Sequence, residues 1–243
     1  MAVPIPGKKT MGVKLLRKWL TVPTGILIVS LSGAALNLKE RLEEKSEAAG
    51  EWVTMVFTLS VQLGYFSGIL AGFLVDNIPN IFSYCIAAGL SLVSFGGVAF
   101  VLGKELTTGF IILTIFLLIL AGLSASIATV TSIVSIAKNF DRVVAYLLVA
   151  IAIGYMKTAK AFDHSVKEGF FPDMDDQIYM LGVGAVVTVV NIIGAVVMRK
   201  VELGKVLTHF SKSADPFGVL IFIVILGLYL IAFWVTVEAM ENY

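Results

Sequence analysis

Long apolar runs separated by short polar breaks organise this chain. The first run extends from about Trp19 to Leu38 and is dotted with Gly25, Ser30, Ser32 and Gly33. A charged stretch follows, Lys39 to Glu47, with acids and bases at helical spacing. That spacing predicts a helical extension into water, braced by pairs four residues apart. The second run, Trp52 to Val75, ends on Asp76, and Pro79 then predicts a tight turn. The third covers Ile81 to Leu102, and Gly103-Lys104-Glu105 turns the chain again. The fourth, Leu106 to Ala137, is 32 residues long, well beyond the roughly 20 that cross a bilayer core. It must tilt or project into solvent. Its second half carries Ser124, Ser126, Thr129, Thr131, Ser132 and Ser135, which predicts that this half faces other helices. Lys138 to Arg142 is a polar break before a fifth run, Val143 to Ala161. A long loop is expected from Phe162 to Asp176, then a sixth run from Ile178 to Met198. After a basic linker, Asp215-Pro216 opens a seventh run, Phe217 to Val237, because Asp suits an N-cap and Pro the first helical position.

Composition decides what these runs are. The chain is 58% hydrophobic and 14% charged, whereas a soluble domain carries roughly a quarter charged residues. Too little polar surface exists to coat a globule in water. The fold class is therefore an all-α polytopic transmembrane helical bundle of about seven spans, with the lipid bilayer as its first partner. A net charge of +1 gives no electrostatic case for nucleic acid. The single cysteine, Cys85, cannot form an internal disulfide and reads as a small buried hydrophobe within a span.

The first 38 residues hold Lys8, Lys9, Lys14, Arg17 and Lys18 but no acid. They read as a signal anchor and are compatible with a mitochondrial inner-membrane address. Eleven Lys and Arg residues fall on the N-terminal side of the seven-span topology and seven on the other, so the N-terminus is expected in the cytoplasm or matrix.

Candidate chemistry is sparse. Gly64, Gly68 and Gly72 repeat every four residues on one face of the second span, which lets another helix approach closely. Gln62 and Asn191 lie near mid-span and are candidates for a cavity lining or an interhelical hydrogen bond. Lys138, Asp141, Arg142, Lys157 and Lys160 read as interfacial charges, the long ones snorkelling to the surface. Asp173, Asp175 and Asp176 with His164 nearby fit no calcium loop, and capping of the sixth span explains the acids better. No nucleophile–base pair, phosphate loop, metal set or cofactor signature is present in the sequence, so neither an enzyme nor a cofactor is expected.

Two short motifs carry a resemblance. Gly72-Phe73-Leu74-Val75-Asp76 at the end of the second span resembles the start of the loop motif of the major facilitator superfamily. Lys138-Asn139-Phe140, followed by Asp141-Arg142, resembles the step between spans four and five in the nodulin-like branch. The resemblance covers roughly residues 17–200. It implies a basic N-terminal segment (1–16), a six-span transporter-like half (17–200), a basic linker (201–216) and an added helix (217–243). A full transporter of this kind has twelve spans with its cavity between two halves. The loop motif departs from the family pattern beyond Asp76, where Asn77, Ile78, Pro79 and Asn80 replace a glycine and basic residues. The lost basic residues and charge-poor interior favour a non-catalytic accessory subunit among other membrane subunits, with a respiratory or ATP-synthesising assembly as one setting. The alternative is a small-solute transporter acting as a dimer. A seven-span receptor fits poorly, since no disulfide pair, mid-span retinal lysine or long signalling loop is present.

Overall fold

The computed structural model describes residues 8–34, 50–105 and 107–198, together with Leu38 and Leu42. The side chains of 8–12, 157–162, 164, 165 and 168 are left aside. Seven helices and no strand occur among the described residues: α1 (Lys8–Ser32), α2 (Glu51–Phe66), α3 (Gly68–Asn77), α4 (Asn80–Leu102), α5 (Thr108–Asn139), α6 (Arg142–Phe170) and α7 (Asp176–Val197). Five stretches are long and apolar enough to cross a membrane: Val13–Ser32, Glu51–Asn77, Asn80–Leu102, Thr108–Asn139 and Asp176–Val197. A sixth apolar stretch, Arg142–Met156, forms the first half of α6. The seventh run, the basic linker and the charged stretch after α1 lie outside the described residues, apart from Leu42.

Helix boundaries follow local chemistry. Ile78 is extended and Pro79 precedes α4, so the proline sits where its missing N–H costs nothing. Asp175 caps α7, its carboxylate accepting from the Gln177 N–H at 2.9 Å. The second span breaks into α2 and α3 at Ser67, whose hydroxyl donates to the Gly64 carbonyl. A hydroxyl bonding back into its own helix competes with the backbone ladder there.

Three expectations are corrected. Cys85 is exposed on α4, not buried. The first span begins earlier than Trp19, at Val13 within a helix that starts at Lys8, and α1 closes at Ser32 rather than Leu38. The loop expected from Phe162 to Asp176 is mostly helix, because α6 runs on to Phe170. Polar residues signalled the end of the membrane span, not the end of the helix. The extension is held by α7: the Tyr179 hydroxyl donates to the Asp163 carboxylate at 2.8 Å, and Lys167 pairs with Asp176. The Lys167 ammonium also lies 5.5 Å from the Tyr179 ring centroid. Lys167→Met should therefore loosen this end by about 1 kcal/mol, a modest loss because Asp176 is partly exposed and the pair is screened. Thermal melting in detergent checks it; an unchanged melting temperature would show that the extension needs no ionic anchor.

Packing partners pair off under an exchange of halves. α1 packs on α5, α6 and α7, while α5 packs on α1, α2, α3, α4 and, less extensively, α6; α4 and α7 pack on each other. Swapping α1 with α5, the α2–α3 span with α6, and α4 with α7 carries the main contacts onto one another, with the α5–α6 contact left over. Three spans followed by three spans in this relation form an inverted repeat. α1 and α5 are the central helices of the arrangement. The α4–α7 seam is tight: a Cβ on Gly184 would lie 2.5 Å from Phe95 Cβ, and one on Gly194 would lie 3.2 Å from the Tyr84 ring of α4 and 2.6 Å from Ile28 Cδ1 of α1.

Candidate functional site

Hydroxyl and amide groups concentrate where the central helices meet their neighbours. Ser124 Oγ donates to the Ala87 carbonyl at 2.7 Å, tying α5 to α4. Tyr65 on α2 donates to the Ser32 carbonyl of α1 at 2.6 Å, and Ser126 of α5 donates to the Tyr65 carbonyl at 3.4 Å. Tyr65 thus bridges the end of α1 and the middle of α5.

Two hydroxyls in this region have their oxygens buried without a hydrogen-bond partner among the described residues: Ser30 Oγ on α1 and Thr129 Oγ1 on α5. Their depth can be placed. Gly25 abuts Ile136, a Cβ on the glycine falling 2.8 Å from Ile136 Cδ1. The helices run antiparallel, since Ser32 lies level with Ser126 through Tyr65. At about 1.5 Å per residue, Ser30 and Thr129 sit within about 3 Å of the same depth. A polar atom buried without a partner is costly, so such atoms point to function or to an absent partner. Ser83 Oγ on α4 and Asn191 Oδ1 on α7 share this condition.

The seam carries no Asp, Glu, Lys, Arg or His at this depth: α1 has none between Lys18 and Ser32, and α5 has none before Lys138. Charge is confined to the ends. At the end where α1 starts and α5 finishes, Asn80 donates to Ser135 Oγ at 2.7 Å and to the Met198 carbonyl at 3.3 Å. Tyr84 and Ser132 share a hydrogen bond of 2.9 Å, and Arg17 donates to the Val196 carbonyl at 3.1 Å. Four helices are clasped together here by neutral groups and one guanidinium.

The glycines expected on one face do not act alike. A Cβ on Gly64 would lie 2.4 Å from the Ile119 carbonyl oxygen, and one on Gly122 would lie 2.4 Å from the Val61 carbonyl oxygen. α2 and α5 therefore cross backbone on backbone at Gly64 and Gly122. Gly68 faces Ser126 Oγ at 3.0 Å, and Gly72 faces open space. Leu74 is partly buried against the core, while Asp76 is exposed at the end of α3. Gln62 is exposed on the outer side of α2, away from any seam, whereas Asn191 is 3% exposed. Lys138, Asp141 and Arg142 are exposed at the α5–α6 junction. Lys157 and Lys160 lie on α6, with side chains outside the described residues. Sequence reasoning missed Gly122 and Tyr65, and it named Asn80, Ser30 and Thr129 without giving them a site role. The small run Ala121-Gly122-Leu123-Ser124-Ala125-Ser126 signalled the crossing, and repeat pairing of α1 with α5 signals the hydroxyls.

A family profile described as Nodulin-like matches residues 18–242. No curated protein and no solved structure matches the chain. The matched stretch runs beyond residue 200, through the seventh apolar run. Nodulin-like proteins are transporters of the major facilitator type, in keeping with a membrane bundle whose central helices are related by an inverted repeat and whose polar groups gather between them; this chain belongs to the Nodulin-like family.

Proposed function

We propose that the chain carries a small uncharged solute along the α1–α5 seam, as one bundle of a facilitator-type carrier completed by a second bundle packed against it. The observation that carries this reading is the pair of unpartnered hydroxyls, Ser30 and Thr129, at one depth on the two central helices. A solute with hydroxyl or amide groups supplies the missing partners. A charged solute would enter a low-dielectric seam with no compensating charge, at a cost of several kcal/mol. An accessory subunit, by contrast, has no need of two unpaired hydroxyls. Neither the fold nor the family points to a respiratory or ATP-synthesising assembly or to the mitochondrial inner membrane.

The test is uptake into liposomes holding only this chain. Labelled polyols and sugars are expected to enter at a rate independent of an imposed membrane potential, and organic anions and cations to be excluded. The double variant S30A/T129V should slow uptake roughly tenfold, corresponding to about 1.4 kcal/mol of lost hydrogen bonding to the solute. Uptake that follows the potential, or that ignores the double variant, would sink the proposal. So would an absence of uptake together with firm co-purification in a larger assembly, which would restore the accessory reading.

A further inference from the structure

Basic residues from two places in the sequence converge at one end of the bundle, and carriage of a solute does not use them. Lys14, Arg17 and Lys18 lie in the first turns of α1; Lys138 and Arg142 flank the α5–α6 junction. Phe140 joins the two groups. It is 8% exposed, the Lys18 ammonium stands 4.5 Å from its ring centroid, and Trp19 meets it edge-on at 5.3 Å. Lys138 and Arg142 are exposed and have no ion-pair partner among the described residues. Asp141 sits at the N-cap of α6, and Asp76 is exposed at the end of α3; these are the acids at this end among the described residues, against five bases.

Below the charges the surface turns apolar. On α1, Leu16 and Leu20 are exposed; on α6, which packs against α1, Val143 and Tyr146 are exposed. A cationic rim above exposed apolar side chains on two adjoining membrane helices matches an anionic phospholipid, with its phosphate among the bases and its acyl chains along the helices. The aromatic pair Trp19–Phe140 stands at the boundary, where amphipathic rings favour the headgroup level. Basic residues also mark the cytoplasmic face, where anionic lipid is enriched.

We infer that the junction of α1 with the α5–α6 turn is a binding site for the headgroup of an anionic phospholipid, held by Lys138 and Arg142 with the exposed Arg17 beside them, while Lys18, 3% exposed, lies beneath over Phe140. Such a lipid would brace α1 against the α5–α6 turn, adding to the Trp19–Phe140 and Lys18–Phe140 contacts there.

Trp19 reports on this site directly. The chain has three tryptophans, so W52F/W234F leaves Trp19 alone. This variant is placed in phosphatidylcholine vesicles containing a minor fraction of brominated lipid. Brominated phosphatidylglycerol should quench Trp19 several-fold more per molecule than brominated phosphatidylcholine. Adding K138Q/R142Q should bring the two to the same level, and high salt should do so without any further substitution. Equal quenching by the two lipids at low salt would overturn the site, as would preference unchanged by both K138Q/R142Q and high salt. If K138Q/R142Q fails to elute as a single folded species, salt dependence of the Trp19 variant decides alone. Displacement by inorganic phosphate at low concentration would show a free-anion site and overturn the lipid assignment. None of these readouts depends on solute uptake, so the carrier reading can fail while the lipid site stands.

Discussion

Gly64→Ala and Gly122→Ala are each expected to destabilise the bundle by about 2–3 kcal/mol, whereas Gly72→Ala should change stability by less than about 0.5 kcal/mol. The three glycines differ in what faces them. At Gly64 a methyl group would sit 2.4 Å from the Ile119 carbonyl oxygen and 2.8 Å from Gly122 Cα; at Gly122 it would sit 2.4 Å from the Val61 carbonyl oxygen. Backbone cannot rotate aside as a side chain can, so α2 and α5 would have to separate. Separation also pulls Ser126 from the Tyr65 carbonyl and threatens the Tyr65–Ser32 bridge to α1. Small residues permit this approach because helix association in lipid depends on van der Waals contact rather than on a hydrophobic force. At Gly72 nothing lies within 4 Å. Melting temperatures of the three variants in one detergent give the comparison. A Gly72→Ala loss as large as that of Gly64→Ala would mean that α3 is covered by something other than lipid. The double variant G64A/G122A should cost less than the two single losses added, since one separation relieves both clashes.

Much of this architecture was legible in the chain. Run lengths and polar breaks place the spans of α2–α3, α4, α5 and α7 to within a few residues, because lipid forces backbone groups to pair within each helix and leaves hydropathy as a strong signal. The same reasoning failed at residues 162–170. Hydropathy reports where lipid ends, and Asp163 and Lys167 are as polar in a helix as in a loop; only their partners on α7, Tyr179 and Asp176, reveal which. The repeating glycines were half legible. Spacing of four put them on one face, but whether a helix lies against that face is a tertiary fact, met at Gly64 and not at Gly72. Ser30 and Thr129 were invisible singly, because serine and threonine in a membrane helix usually donate to a carbonyl one turn back, as Ser32, Thr131 and Ser135 do. They stand out only once their hydroxyls are found without such a bond. Family membership follows from the wider match across 18–242, which the short motifs around Asp76 and Asn139 anticipated.

Two asparagines should respond with opposite signs. Asn80 is placed at the start of α4, where its amide donates to Ser135 Oγ at 2.7 Å and to the Met198 carbonyl at 3.3 Å, binding α4, α5 and the end of α7. Asn80→Leu removes both bonds and leaves the Met198 carbonyl with only a long contact from Ser135, at 3.4 Å. A loss of about 2–3 kcal/mol is expected. Asn191 is buried on α7 with Oδ1 lacking a partner among the described residues. A leucine of the same branched shape there removes a desolvated carbonyl that gains nothing in return, so Asn191→Leu should leave stability unchanged or raise it by about 1 kcal/mol. Both variants keep the helix and the branching of the side chain while removing its hydrogen bonding. The sequence alone ranks them alike, since each is an asparagine in or beside an apolar run. If Asn191→Leu melts lower than the parent chain by as much as Asn80→Leu does, then Asn191 Oδ1 has a partner in the assembled protein. The seventh apolar run would be the place to look for it; slowed uptake with unchanged melting would instead assign the carbonyl to a bound solute.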